Sequence, residues 1–86
     1  MTPDWKLVLD EEALSLLLAS RAGDRRKLLA ALGSLKANPS QPGDFTEKDD
    51  TGRSLQVKIF GTFLVTYWLD SYVAEVRVVE IERVRR

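Results

Sequence analysis

The spacing of apolar residues changes once along the chain, near residue 45. Up to Asn38 they mostly recur at helical intervals, and from Phe45 onward they alternate. Spacing of i, i+3, i+4 builds one stripe on a helix, whereas a period of two puts successive side chains on opposite faces of a strand. Ahead of the helical stretch, Trp5, Leu7 and Leu9 alternate with Lys6 and Val8 and predict a short strand. Asp10 then stands where an N-cap is wanted, with Glu11 and Glu12 in the first turn. Carboxylates there meet free N–H groups and the positive end of the helix dipole. Leu14, Leu17 and Leu18 predict the buried stripe of this helix. Gly23 interrupts the pattern, Asp24 is placed to cap a second helix, and Leu28, Leu32 and Leu35 predict its stripe. Asn38-Pro39 ends it, because proline disfavours helical geometry in the residue before it. Two helices joined so closely are expected to pair as an antiparallel hairpin.

Ser40-Gln41-Pro42-Gly43-Asp44 reads as a loop, and Phe45-Thr46-Glu47-Lys48 as a short, charged edge strand. Asp49-Asp50-Thr51-Gly52 signals a turn. Leu55, Val57 and Ile59 then alternate with Ser54, Gln56 and Lys58, and Phe60-Gly61 marks a tight hairpin. Phe63, Val65, Tyr67 and Leu69 share one face of the next strand, and Leu64, Thr66 and Trp68 the other. After a turn at Asp70-Ser71, the last strand opens with Tyr72, Ala74, Val76 and Val78 in phase, then shifts to Val79 and Ile81. A one-residue shift predicts a β-bulge or a strand half-buried on both faces. The element order β-α-α-β-β-β-β predicts an α+β domain, with a helical hairpin on one face of an antiparallel sheet and the other face at least partly open.

Eighty-six residues make one domain, residues 1–86. Thirteen basic and thirteen acidic residues cancel, so affinity for phosphate requires a local patch. The chain has no cysteine and no histidine. Thiolate metal sites, cysteine nucleophiles, imidazole acid–base pairs and serine–histidine triads are therefore excluded. The opening Met1-Thr2-Pro3-Asp4-Trp5 lacks the basic start of a signal peptide, and the apolar run Ala13 to Ala19 is far short of the ~20 residues that span a bilayer. The expectation is a cytoplasmic protein with no membrane contact.

Arg53, Lys58, Arg77, Arg83, Arg85 and Arg86 are the candidates for a phosphate-binding face. Strand alternation allows Lys58, Arg77 and Arg83 to share the face opposite Leu55, Val57 and Val76; the other reading is a solvated face neutralised by Glu75, Glu80 and Glu82. Leu64 and Trp68, alternating away from the expected core, are the candidates for a partner-binding patch. Tyr67 shares a face with Phe63 and Val65 and reads as core. Asp44, Glu47, Asp49 and Asp50 lack the spacing of a calcium loop, and Gly52 and Gly61 form no phosphate-binding glycine motif, so neither metal nor nucleotide cofactor is expected.

The segments Gly52-Arg53-Ser54-Leu55-Gln56-Val57-Lys58-Ile59, Gly61 to Trp68 and Glu75-Val76-Arg77-Val78-Val79-Glu80-Ile81 together resemble the RelE/ParE toxin superfamily of bacterial type II toxin–antitoxin systems, genes associated with plasmid stabilisation. The resemblance runs from Trp5 to Arg83. It implies a toxin neutralised by a separately encoded cognate antitoxin. RelE-like members are metal-independent endoribonucleases that inhibit translation by cutting mRNA at the ribosome; ParE-like members inhibit gyrase. Lys58 falls where the RelE pattern carries a basic residue, and Gln56 stands at the neighbouring basic position. The resemblance therefore implies Lys58, Arg83 and Arg85 as catalytic and Arg53, Arg77 and Arg86 as RNA-binding. Three readings stay open: an mRNA-cleaving toxin, a gyrase-inhibiting toxin, and a non-catalytic protein-binding module on the same scaffold.

Overall fold

The computed structural model describes residues 4–84. Strand β1 (Lys6–Leu9) leads into helices α1 (Glu11–Ala19) and α2 (Ala22–Ala37), followed by β2 (Phe45–Lys48), β3 (Ser54–Phe60), β4 (Phe63–Asp70) and β5 (Glu75–Arg83). The strands form one sheet in the order β1-β5-β4-β3-β2. All neighbours are antiparallel except β1 and β5, which run parallel with Leu7 opposite Val76. The α+β architecture is as expected, with that one parallel pair in place of an all-antiparallel sheet. The helical hairpin carries the chain away from β1, so β1 sits at one edge and β2 at the other.

The helices cover one face. Leu28, Leu32 and Leu35 of α2 are buried against Phe63, Val65 and Tyr67 of β4 and Val76, Val78 and Ile81 of β5. In α1 the buried pair is Ala13 and Leu17, while Leu14 and Leu18 are 43% and 64% exposed. This corrects the expected stripe. Ala13 to Ala19 is apolar nearly all round, so spacing alone did not choose a face, and the face carrying the small Ala13 is the one that is buried. Arg21, rather than Asp24, occupies the N-cap position of α2.

The register shift between Thr66 and Tyr67 leaves Val79 of β5 as an extra residue: Tyr67 pairs with Val78 and Thr66 with Glu80. That is the bulge that the slip in apolar phase predicts. It keeps both Val78 and Ile81 on the helical side, buried at 0% and 4% exposure. The loop before β2 is pinned at three points. Tyr67 Oη donates to the Gln41 carbonyl at 3.2 Å, the Gly43 N–H donates to Gln56 Oε1 at 3.0 Å, and the Asp44 carboxylate accepts from the Ile59 N–H at 2.7 Å. Gly43 is needed here, because a Cβ would lie 2.9 Å from the Val57 carbonyl oxygen.

Candidate functional site

Registers assign every candidate residue to a face. On the helical side, Lys58 pairs with Val65 and so shares its face, Phe60 pairs with Phe63, and Phe63 pairs with Arg83. On the open side, Leu55, Val57 and Ile59 line up with Trp68, Thr66 and Leu64, and these in turn with Arg77, Glu80 and Glu82. Lys58 and Arg83 thus share the helical side, and Arg77 lies on the opposite one. The expected grouping of all three is corrected, for two physical reasons. The Val79 bulge inverts the phase of β5 between Arg77 and Arg83. Strand β3 also buries Leu55 and Val57 in the floor of the open face, with Val57 only 1% exposed, rather than under the helices.

Arg53, Arg77 and Arg83 are already engaged. Arg83 forms an ion pair with Asp24 in the first turn of α2, and its guanidinium lies 5.1 Å from the centre of the Phe63 ring. On the open face, Arg53 stacks 4.0 Å from the Trp68 ring centre and lies 3.8 Å from Asp49. Arg77 is 5.8 Å from the same ring and 3.0 Å from Glu75. Trp68 is therefore half-buried between two cations, as a platform rather than a core residue. Lys58 makes no ion pair among the described residues; its Nζ lies 5.9 Å from the Phe60 ring centre. Two strand spacings, about 10 Å of sheet, separate the backbones carrying Lys58 and Arg83. Arg85 and Arg86 lie outside the described residues.

Two groups titrate away from their ordinary values. Burial, and then the charge of Asp44, hold the Tyr67 phenol above its usual range, which suits a core hydrogen-bond donor. Asp49 is held low, first by the Thr51 hydroxyl and also by the N–H groups of Arg53 and Thr51, so it stays charged within the β2–β3 turn. No group of three or more possible metal-ligating side chains occurs among the described residues.

Sequence reasoning missed three features. Asp24 reads as a cap for the second helix, yet it reaches Arg83 across 59 residues of chain. Ile59 and Phe45 read as ordinary strand residues, yet they stand 50% and 43% exposed on the open face, Ile59 opposite Leu64 and Phe45 opposite Val57. The phase of β3 relative to β4 would have exposed this, but single-strand alternation does not specify it. A third feature is a mainly apolar cavity of about 470 Å³ between α2 and the β3–β4 hairpin, lined by Leu28, Ala31, Phe60 and Phe63 with Lys27 at its edge.

No protein-family model matches the sequence, and no curated protein matches it. Solved structures do. A chain of the archaeal RelE–RelB complex from Pyrococcus horikoshii superposes with a TM-score of 0.74 at 11% identity, over 98% of this chain and 99% of that one. The isolated E. coli RelE toxin superposes at 0.67 with 17% identity, over 95% and 86%. The chain has the RelE fold. The intact E. coli RelBE toxin–antitoxin complex agrees, at 0.64 and 17% identity over 95% and 99%. The RelE-like fold expected from the hairpin segments is therefore present from end to end, including the helical pair.

Proposed function

We propose that this chain is the toxin of a toxin–antitoxin pair, and that it inhibits translation by cleaving mRNA on the ribosome. The observation that carries the reading is the whole-length correspondence with RelE, at 95% or more of this chain in each comparison. RelE in two of those structures is held by RelB, and we assign this chain a protein antitoxin of its own that covers Leu64 and Trp68 on the open face. With histidine and cysteine absent, cationic side chains are left to stabilise the charge that builds on a phosphate in flight. Lys58 and Arg83, on one face of the sheet, are assigned that role, with Arg85 following in sequence. Arg53 and Arg77, stacked on Trp68, are assigned to the partner side instead of to RNA.

A non-catalytic or gyrase-directed action is the second reading, favoured by the Arg83–Asp24 ion pair and by the sheet width between Lys58 and Arg83. Induced expression separates the two. The wild type should arrest growth and generate new mRNA 5′ ends within ribosome-bound messages, without added metal. Lys58→Ala/Arg83→Ala should slow cleavage by at least ~10²–10³. Arrest with intact mRNA and damaged DNA moves the target to gyrase. No arrest leaves the protein-binding module.

A further inference from the structure

We propose that the cavity between α2 and the β3–β4 hairpin binds a small anionic amphiphile, an alkyl or aryl body carrying one carboxylate head. The site is independent of the toxin reading, because it needs only the lining of the cavity and the charges beside it.

The cavity exists because its two walls do not match in size. The hairpin supplies the rings of Phe60 and Phe63, which sit opposite one another across β3 and β4. The helix supplies Leu28 with Ala30, Ala31 and Ser34, and these three short side chains leave the space between helix and hairpin unfilled. About 470 Å³ remains, within the range of small-ligand pockets. Phe63 is buried against the core, whereas Phe60 is half-buried and has ring surface to offer an occupant. The lining decides the body of that occupant. Of the side chains around the cavity, only Lys27 and Ser34 carry polar atoms. A nucleobase would leave most of the N–H and C=O groups on its edge unpaired there, whereas an alkyl or aryl body leaves none.

Charge decides the head. Lys27 stands at the edge of the cavity on the helix, and on the other wall Lys58 Nζ lies 5.9 Å from the centre of the Phe60 ring. Neither lysine is in an ion pair among the described residues. Arg83 lies over Phe63, but Asp24 balances it. The acids of the neighbouring strands are engaged or turned away. Asp44 accepts from the Ile59 N–H at 2.7 Å, and Glu80 and Glu82 pair by register with Thr66 and Leu64 on the open face. Two unpaired cations beside an apolar cavity favour an anion, and an apolar tail that displaces water strengthens the attraction.

Decanoate is the probe, kept below its micelle concentration, with decylammonium and uridine monophosphate as comparisons. Binding to the full chain is followed by amide and aromatic NMR shifts. Decanoate should shift Leu28, Phe60 and Phe63, and its affinity should fall as salt rises. Lys27→Gln, a change at an exposed side chain, should weaken it about fivefold. Ala30→Trp grows into the cavity from an exposed position and should abolish binding while the rest of the amide spectrum stays native. Four results overturn the proposal: no binding of decanoate, equal binding of decylammonium, uridine monophosphate preferred at the same residues, or decanoate shifts spread over the exposed Leu14 and Leu18 of α1. Phe60 and Phe63 signals that move with protein concentration alone also overturn it, because a second copy would then fill the cavity.

Discussion

Tyr67 shows how one side chain divides its work. Its ring is fully buried in the core, while its hydroxyl donates to the Gln41 carbonyl and ties down the loop before β2. Tyr67→Phe removes that bond and should cost about 1 kcal/mol at neutral pH by urea unfolding. The pH dependence follows from the raised phenol. Because the folded state holds the proton beyond the ordinary value of 10.0, stability is intact below that pH and is lost as pH rises from it towards the folded value. The Phe variant should show a flatter alkaline limb. Tyr67 as core was legible, since it alternates in step with Phe63 and Val65. Its acceptor was not, because nothing in a sequence says that residue 41 passes over residue 67.

At the scale of elements, the bulge in β5 decides which side each arginine serves. Deleting Val79 removes the unpaired residue and joins Val78 directly to Glu80, so every pairing of β4 with β5 is kept and Ile81 stays buried. Stability, read from the urea midpoint, should therefore fall by much less than the ~2–5 kcal/mol that emptying a buried apolar site costs. The slip was visible as Val76, Val78 and then Ile81, which left a bulge and a strand half-buried on both faces as the two readings, and the bulge is the one that forms. Its effect on Arg77 and Arg83 could be read only in part. The phase of β3 was hidden for a related reason: Leu55 and Val57 are as apolar as core residues, and a strand buried on its open face has the same pattern as one buried under helices. Most strand boundaries and the helical pair were legible because period and punctuation agree there; β5 is the exception, beginning at Glu75 and not at Tyr72, because Tyr72 and Ala74 lie in the turn, Ala74 with a φ of 53°. Pairings between distant residues, such as Asp24 with Arg83, leave no local trace.

For the whole molecule, β5 is the element that joins the N-terminal strand to the rest of the sheet. It pairs with β1 on one side and β4 on the other, and it supplies Val76, Val78 and Ile81 to the core under the helices. A fragment ending at residue 74 should therefore lack cooperative unfolding, as checked by circular dichroism during a thermal ramp. The parallel pairing of β1 with β5 also has a temporal meaning. A ribosome makes Lys6–Leu9 first, but the strand they pair with emerges only after every other strand. Contacts so far apart in sequence form slowly and late. The nascent chain thus passes through synthesis with its core unfinished and its faces not yet assembled. If the folded chain is harmful to the cell that makes it, the harm begins only after β5 has been translated, and an interrupted message yields an inert product.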